Sequence, residues 1–211
     1  MLRLANEPEA FARQAARGFA LAHRGAVREV DGGIQRVHES SEPTVAVVTG
    51  GGSGHYPAFA GFVGPGLAAA AVLGDIFASP SARQVADVGQ AAEQGCGVLF
   101  VYGNYAGDVL NFNDGQERLR RNGIQALSVQ VTDDISSAPP TSPELRRGVA
   151  GDLIVLKVAA AAAWSGLSLS EVTNVARRAN DVTRTLGVAF DGCTLPGALN
   201  PLFDVPAGQM A

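Results

Sequence analysis

The sequence contains little lysine and no excess of positive charge. Of its 16 basic residues only Lys157 is a lysine, and 20 acidic residues give a formal net charge of −4. A chain with this balance offers no basic face for a phosphate backbone, so nucleic acid is not an expected partner. A phosphate-binding P-loop needs a lysine directly after a glycine, whereas Lys157 follows Leu156, so that class of nucleotide site is excluded.

Cysteines and long apolar runs are equally scarce. Cys96 and Cys193 are the only cysteines and form no CxxC pair, which excludes a zinc ribbon or a disulfide framework and favours a reducing compartment. The most apolar run, residues 153–164, contains Lys157 and is shorter than the roughly 20 residues that a membrane span needs. The first residues carry two glutamates and no apolar segment, so no secretory signal is predicted. We therefore expect a cytoplasmic protein with no membrane partner.

Short apolar segments alternate with longer amphipathic ones along the chain. The predicted strands are residues 44–49, 97–102, 126–131 and 188–190. The predicted helices are residues 8–23, 83–94, 109–121, 149–164 and 168–186, the last opened by the capping box Ser168-x-x-Glu171. Such alternation predicts an α/β layered domain with a largely parallel sheet flanked by helices. The last 20 residues, with three prolines, are expected to be irregular.

The most distinctive segment is GGGSGH, residues 50–55, directly after the first predicted strand. Successive glycines let the backbone approach a ligand closely and turn N–H groups towards an oxygen or an anion. His55 stands where a dinucleotide fingerprint starting at Gly50 needs its last glycine, which disfavours a nucleotide-dependent oxidoreductase. A plain tight turn is the alternative, although a turn does not require the titratable His55.

A second polar loop, GNYAGD at residues 103–108, follows the second predicted strand. Asp108 could accept a proton from a substrate hydroxyl within hydrogen-bond reach. The residues alone favour the alternative, in which Asp108 only caps the helix predicted to begin near Val109. Ligands of parallel sheets bind beyond the carboxyl ends of the strands, so we expect the two glycine-containing loops to form the site.

The remaining polar and aromatic residues carry weaker signals. The pair Asp133-Asp134 could contribute to a metal site, but a turn with solvated carboxylates is the preferred interpretation. No metal site is therefore predicted in this chain. Trp164 and the phenylalanines are expected in the core.

Five segments occur in a specific order along the chain. They are GGGSGH, GDIFASPS at residues 74–81, NYAGDVLNF at 104–112, RRGVAG at 146–151 and GVAF..CTLP at 187–196. In this order they resemble the dihydroxyacetone kinase family, in particular its ketose-binding K subunit or K domain. The resemblance covers nearly the whole chain, from about residue 2 to residue 210.

The resemblance implies phosphoryl transfer to the terminal hydroxyl of a short-chain ketose, either dihydroxyacetone or a tetrulose such as erythrulose. It implies that Asp108 is the base on that hydroxyl and that His55 is a second catalytic residue. The substrate-binding residues it implies are Gly51, Gly52, Ser53, Gly54, His55, Gly103 and Asp108.

The resemblance also implies that the ketose and the nucleotide bind to different modules. ATP and Mg²⁺ are expected on a separate nucleotide-binding L subunit or domain, with a phosphoprotein donor as the alternative, so no cofactor is expected on this chain itself. A homodimer is expected. Family members continue beyond the position of Met210 into a GIHGEPG block, whose histidine bonds covalently to the ketone. We therefore expect residues 1–190 to form the ketose-binding domain and residues 191–211 to begin a second, truncated domain.

Three departures from the family pattern affect the predicted pocket. The family often has GHEP where this chain has Gly54-His55-Tyr56-Pro57, a histidine at the position of Phe59, and a lysine at that of Gly103. These changes favour the branch that acts on four-carbon ketoses. The alternative function is a non-catalytic, ketose-sensing paralogue that partners a transcription regulator.

Overall fold

The computed structural model describes residues 6–38 and 40–211. These residues form a six-stranded sheet with helices packed on it. Its strands are β1 (Val27–Val30), β2 (Gly33–Arg36), β3 (Ala46–Ser53), β4 (Ala70–Ile76), β5 (Val98–Gly103) and β6 (Ala126–Val131). The helices are α1 (Phe11–Ala22), α2 (Ala82–Ala92), α3 (Ala106–Arg121), α4 (Gly151–Trp164) and α5 (Leu169–Val182).

The order of the strands in the sheet is β1-β2-β4-β3-β5-β6. The four strands β4, β3, β5 and β6 are parallel, whereas β1 and β2 form an antiparallel hairpin whose second strand pairs antiparallel with β4. The prediction of a largely parallel sheet between helices is therefore confirmed. In the sheet, β4 lies on one side of β3 and β5 lies on the other. The site described below lies where the strand order reverses in this way.

Both faces of the sheet are buried, which explains why its central strands are continuous apolar runs. Alternate residues such as Leu99 and Val101 point towards α1, α4 and α5 on one face. Their neighbours Phe100 and Tyr102 point towards α2 and α3 on the other, where both rings contact Phe112. The capping box predicted at Ser168 is present at the start of α5.

Some predicted elements differ from the observed ones. Strand β3 extends through the glycines to Ser53, because a side chain at Gly50 would collide with the Val72 carbonyl of β4 and glycine avoids that contact. The strand predicted at residues 188–190 is wrong, since these residues belong to no strand. Trp164 was expected in the core, but it is 41% exposed and lies under the Arg36 guanidinium, whose central carbon is 5.1 Å from the ring centroid.

The C-terminal residues 183–211 contain neither helix nor strand, which confirms the irregular structure predicted for the last 20 residues. They are tied by isolated backbone bonds, such as Leu202 N–H to the Cys193 carbonyl at 2.7 Å. Several apolar side chains here are exposed, Leu199 and Phe190 among them, so the phenylalanines are not all core residues as predicted. Over residues 6–38 and 40–211, no helix combines the length and hydrophobicity that crossing a bilayer requires.

Candidate active site

A cavity of about 770 Å³ lies at the carboxyl ends of β3 and β5. After β3 the chain packs Phe59 and Val63 against the face that carries α4, whereas after β5 it enters α3 on the opposite face. The divergence of the two connections opens a crevice, which is where parallel α/β sheets bind their ligands. Both loops selected in the sequence, residues 50–55 and 103–108, contribute to its wall.

The glycines of the first loop pack too closely for side chains. A Cβ on Gly51 would lie 2.6 Å from Cε2 of Phe59, and one on Gly52 would lie 2.7 Å from the Ala78 nitrogen. Real Cβ atoms do not approach other atoms so closely. The backbone of this loop therefore forms one wall of the cavity, with its peptide groups next to the space that a ligand would fill.

His55 lines the cavity, and two contacts fix the orientation of its ring. Its Nδ1 is 2.9 Å from the Gly52 carbonyl oxygen, and the edge of the ring contacts Phe77 at a centroid separation of 4.9 Å. A carbonyl oxygen can only accept, so Nδ1 carries the proton in this contact and Nε2 remains for a ligand.

Ser53 is the one predicted site residue that does not line the cavity. Its hydroxyl instead donates to the Gly74 carbonyl of β4 at 2.7 Å. The other predicted residues, Gly51, Gly52, Gly54, His55, Gly103 and Asp108, all lie on the wall.

Asp108 lies within the first turn of α3 and does not cap the helix. The cap interpretation is wrong because α3 begins at Ala106, earlier than predicted, with Tyr105 at the N-cap position. The Oδ1 atom of Asp108 is buried and has no hydrogen-bond partner. Burial raises the pKa of this carboxyl, and the neighbouring Ser79 hydroxyl and His55 imidazole offset part of the rise.

Asp152 is a second carboxyl on the same wall, and our sequence analysis did not single it out. It lies in the first turn of α4, is 6% exposed, and its Oδ1 also lacks a hydrogen-bond partner. Burial raises the pKa of Asp152 well above its usual value, and the Asp133 and Asp108 carboxyls add to the rise. The available sequence signal was an acidic residue directly after RRGVAG, at the start of an otherwise apolar helix.

Asp133 is a buried structural residue, which makes the prediction of a solvated turn wrong. Its Oδ1 accepts from Val149 N–H and its Oδ2 from Gly151 N–H, both at 2.9 Å, and the Thr185 hydroxyl also donates to Oδ2. These bonds fix the chain as it enters α4. Because residues 148–150 line the cavity, Asp133 holds part of its wall in place.

The raised pKa of Asp152 predicts how stability depends on pH. Below the ordinary value of 3.8 the carboxyl is protonated in both the folded and the unfolded chain. Above it the unfolded chain releases the proton while the folded chain keeps it, so the free energy of unfolding falls as the pH rises from about 4 towards neutral. Asp152→Asn removes this dependence. Denaturant titrations should show that the unfolding free energy of Asp152→Asn increases relative to that of the parent as the pH rises. A difference in unfolding free energy that does not change with pH would contradict the prediction.

The charge of the cavity argues against a nucleotide within it. Among the described residues, its wall carries the carboxyls Asp108 and Asp152 and no lysine or arginine. A triphosphate would meet acidic groups here without cations to balance its charge. The wall does suit a neutral, polar molecule, since it combines an apolar lining with a few hydrogen-bonding groups.

Comparison with known proteins identifies the family of this chain. A family model described as the Dak1 domain matches residues 17–211. The chain belongs to the Dak1 family. These domains are the K domains of dihydroxyacetone kinases, so the resemblance found in the sequence motifs is confirmed.

Among relatives of this Dak1 domain, an L-erythrulose kinase of Pectobacterium atrosepticum is 57% identical over the whole chain, which covers 36% of that protein. The native crystal structure of the dihydroxyacetone kinase of C. freundii superposes with a TM-score of 0.87 at 36% identity, over 97% of this chain and 38% of that one. The same enzyme is known in complex with AMP-PNP and Mg²⁺. The chain thus spans little more than a third of the length of these relatives.

A further structural neighbour is described as a dihydroxyacetone kinase operon co-activator, Dha-DhaQ. It superposes with a TM-score of 0.85 at 28% identity, over 94% of this chain and 61% of that one. The Dak1 fold is therefore present both in proteins named as kinases and in a protein named as a co-activator.

Proposed function

We propose that this Dak1 domain binds a short-chain ketose and presents its terminal hydroxyl for phosphorylation. The observation that carries the proposal is the unpartnered Oδ1 of Asp108, buried on the wall of a crevice whose other wall is the glycine loop with His55. A buried carboxylate oxygen without a partner is costly unless a ligand supplies one. A substrate hydroxyl meets this need, because it donates its proton to the carboxylate.

The chain's own residues would then contribute positioning and proton transfer. Phosphoryl transfer depends mainly on alignment and on electrostatics. Asp108 accepts the proton of the reacting hydroxyl as the hydroxyl oxygen attacks the phosphoryl group of the donor. His55 holds a second oxygen of the ketose through Nε2. The backbone of Gly51, Gly52 and Gly54 lies close enough for peptide groups to bind the remaining oxygens. Gly103 completes the opposite wall.

The phosphoryl donor in this proposal is ATP with Mg²⁺ on a separate L module. Its support is the acidic wall of the cavity, which does not fit a triphosphate, and the AMP-PNP and Mg²⁺ complex of a dihydroxyacetone kinase of which this chain covers only 37%. The homodimer expected from the family, and the start of a second domain at residue 191, remain predictions.

The proposed substrate is a four-carbon ketose such as erythrulose, with dihydroxyacetone as the smaller alternative. Support comes from the 57% identity to an L-erythrulose kinase, which exceeds the 36% identity to the dihydroxyacetone kinase of C. freundii. The cavity of about 770 Å³ also leaves room beyond a three-carbon molecule.

The second candidate function is ketose sensing without catalysis, in partnership with a transcription regulator. The likeness to the Dha-DhaQ co-activator favours it. The kinase proposal is better supported, because identity to the erythrulose kinase is twice as high and because Asp108 has an oxygen free to act as a base.

The deciding experiment measures ketose-dependent phosphoryl transfer. The protein is expressed from its own gene at the full encoded length and supplied with ATP and Mg²⁺, together with the L partner if that is a separate chain. We expect phosphorylated product with L-erythrulose and with dihydroxyacetone, and none with glycerol, which lacks the carbonyl. Ketose binding without phosphorylation by any L partner or phosphoprotein donor would overturn the kinase proposal in favour of sensing.

Substitution of Gly52 tests the role of the loop. In Gly52→Ala the new Cβ would lie 2.7 Å from the Ala78 nitrogen, so the loop must move away from its present position. We expect ketose affinity to fall at least about tenfold, as is typical when hydrogen bonds to a ligand are misplaced. Gly18→Ala, in α1 with nothing within 4 Å of the new atom, is the matched control. Equal affinity in the two variants, measured by calorimetry, would show that the loop does not bind ketose.

A further inference from the structure

The proposed function leaves one buried polar group of the cavity unused. In the described part of the chain, three buried side-chain oxygens lack hydrogen-bond partners: Thr49 Oγ1, Asp108 Oδ1 and Asp152 Oδ1. Only the two carboxyls line the cavity. Since an unsatisfied buried polar group lowers stability, its presence on the wall of a binding site indicates a partner that arrives with the ligand.

Two glycines lie directly against the Asp152 carboxyl. A Cβ on Gly103 would lie 3.2 Å from Asp152 Oδ2, and one on Gly148 would lie 2.8 Å from Oδ1. Both glycines line the cavity themselves. A side chain at either position would therefore lie against the carboxyl and separate it from the space where a ligand binds.

The two carboxyls interact with each other electrostatically, but their other neighbours differ. Asp108 is close to Ser79 and His55, which follow β4 and β3. Asp152 is close to Gly148 and Asp133, which follow β6. A ligand that satisfies both carboxyls must carry at least two hydrogen-bonding groups, and a polyhydroxy ketone has that chemistry.

We propose that Asp152 binds a hydroxyl of the ketose other than the reacting one. The inference rests on the proposed function, in which Asp108 takes the reacting hydroxyl. It adds a substrate-binding residue outside the glycine loop and His55.

The protonation of the two carboxyls suits these different tasks. Burial and the neighbouring Asp133 and Asp108 carboxyls hold the pKa of Asp152 well above its usual range, which favours its protonated form. A protonated carboxyl donates one hydrogen bond and accepts others, which matches a hydroxyl on both counts. An ionised carboxylate only accepts, which suits a base, and environments that separate two acids in this way are a recurring feature of active sites.

The test compares the affinities of two ketoses for three proteins. L-Erythrulose and dihydroxyacetone are titrated by calorimetry into the parent, Asp152→Ala and Asp152→Asn, each expressed from the gene at its full length. We expect Asp152→Ala to weaken the binding of both ketoses by about tenfold, as for loss of one buried hydrogen bond. Asp152→Asn should retain most of the affinity, since an amide also donates and accepts.

A second variant covers the carboxyl without removing it. Gly103→Ala adds a Cβ 3.2 Å from Asp152 Oδ2, and its affinity for both ketoses is expected to fall as it does in Asp152→Ala. Melting temperatures serve as the control for folding, and Asp152→Ala should not melt lower than the parent, because Oδ1 of the lost carboxyl is buried without a partner.

The outcomes separate this inference from the function on which it rests. A parent protein that binds neither ketose overturns both. A parent that binds both ketoses, with unchanged affinities in Asp152→Ala, overturns the role of Asp152 and leaves the proposed function standing. The same holds if Asp152→Ala loses both ketoses and melts lower, because that result assigns Asp152 a structural role.

Discussion

Replacement of Asp108 by asparagine is expected to abolish ketose phosphorylation while ketose binding is largely retained. The amide has the size of the carboxyl and still accepts a hydrogen bond, but it cannot take up the proton of the attacking hydroxyl. Loss of a general base costs a factor of about 10²–10⁴ in rate. The measurement is kcat for erythrulose phosphorylation together with the dissociation constant of the ketose.

The control for Asp108→Asn is Asp114→Asn on the same helix. Asp114 pairs with Arg118 at 3.2 Å on the exposed face of α3, so its loss should change neither rate nor affinity. If Asp108→Asn phosphorylates ketose at the parent's rate, Asp108 is not the base. If it loses ketose binding to the same degree as activity, Asp108 binds the substrate without acting on it.

The raised pKa of Asp108 adds a signature in the pH profile. A base must be ionised to act, so protonation of Asp108 at low pH stops the reaction. Because burial raises this pKa, the acid limb of kcat/KM should lie above the pH at which an exposed aspartate titrates. A profile that is flat down to the ordinary range of aspartate would contradict this assignment.

The sequence located the site because its strongest signals are local. A buried strand followed by glycines and a polar residue marks a strand exit, and parallel strands bring their exits to one edge of the sheet. Both GGGSGH and GNYAGD could be found in this way. The extension of β3 through its glycines could not, because it depends on the contact between Gly50 and β4.

Residues that depend on distant partners were missed. Asp133 has the local signature of a solvated turn, yet it is buried by backbone groups 16 and 18 residues further on and by Thr185. Asp152 is buried against Gly103, which lies 49 residues earlier in the chain. Strand β4 begins with alanines, whose weak strand preference hid an element that pairing with β3 stabilises.

The role of Asp133 gives the largest expected effect on stability. Its two oxygens accept from Val149 N–H, Gly151 N–H and the Thr185 hydroxyl, and the side chain is fully buried. Gly151 packs so closely on the carboxyl that any side chain there would collide with it. Removal of the carboxyl would leave two backbone donors without partners and a void beside them, at the point where the chain enters α4.

Asp133→Ala is therefore expected to lower the free energy of unfolding by about 3 kcal/mol, since a buried donor left unpaired costs about 1–3 kcal/mol. For a chain of this length that corresponds to a fall of roughly 6–12 °C in melting temperature. The same variant should weaken ketose binding, because Val149 and Ala150 on the cavity wall lose their anchor. Asp114→Ala, which removes only an exposed ion pair, should change the unfolding free energy by about 0.5 kcal/mol or less. Calorimetric melting of both variants checks the difference, and equal melting temperatures would mean that the Asp133 bonds do not hold this wall.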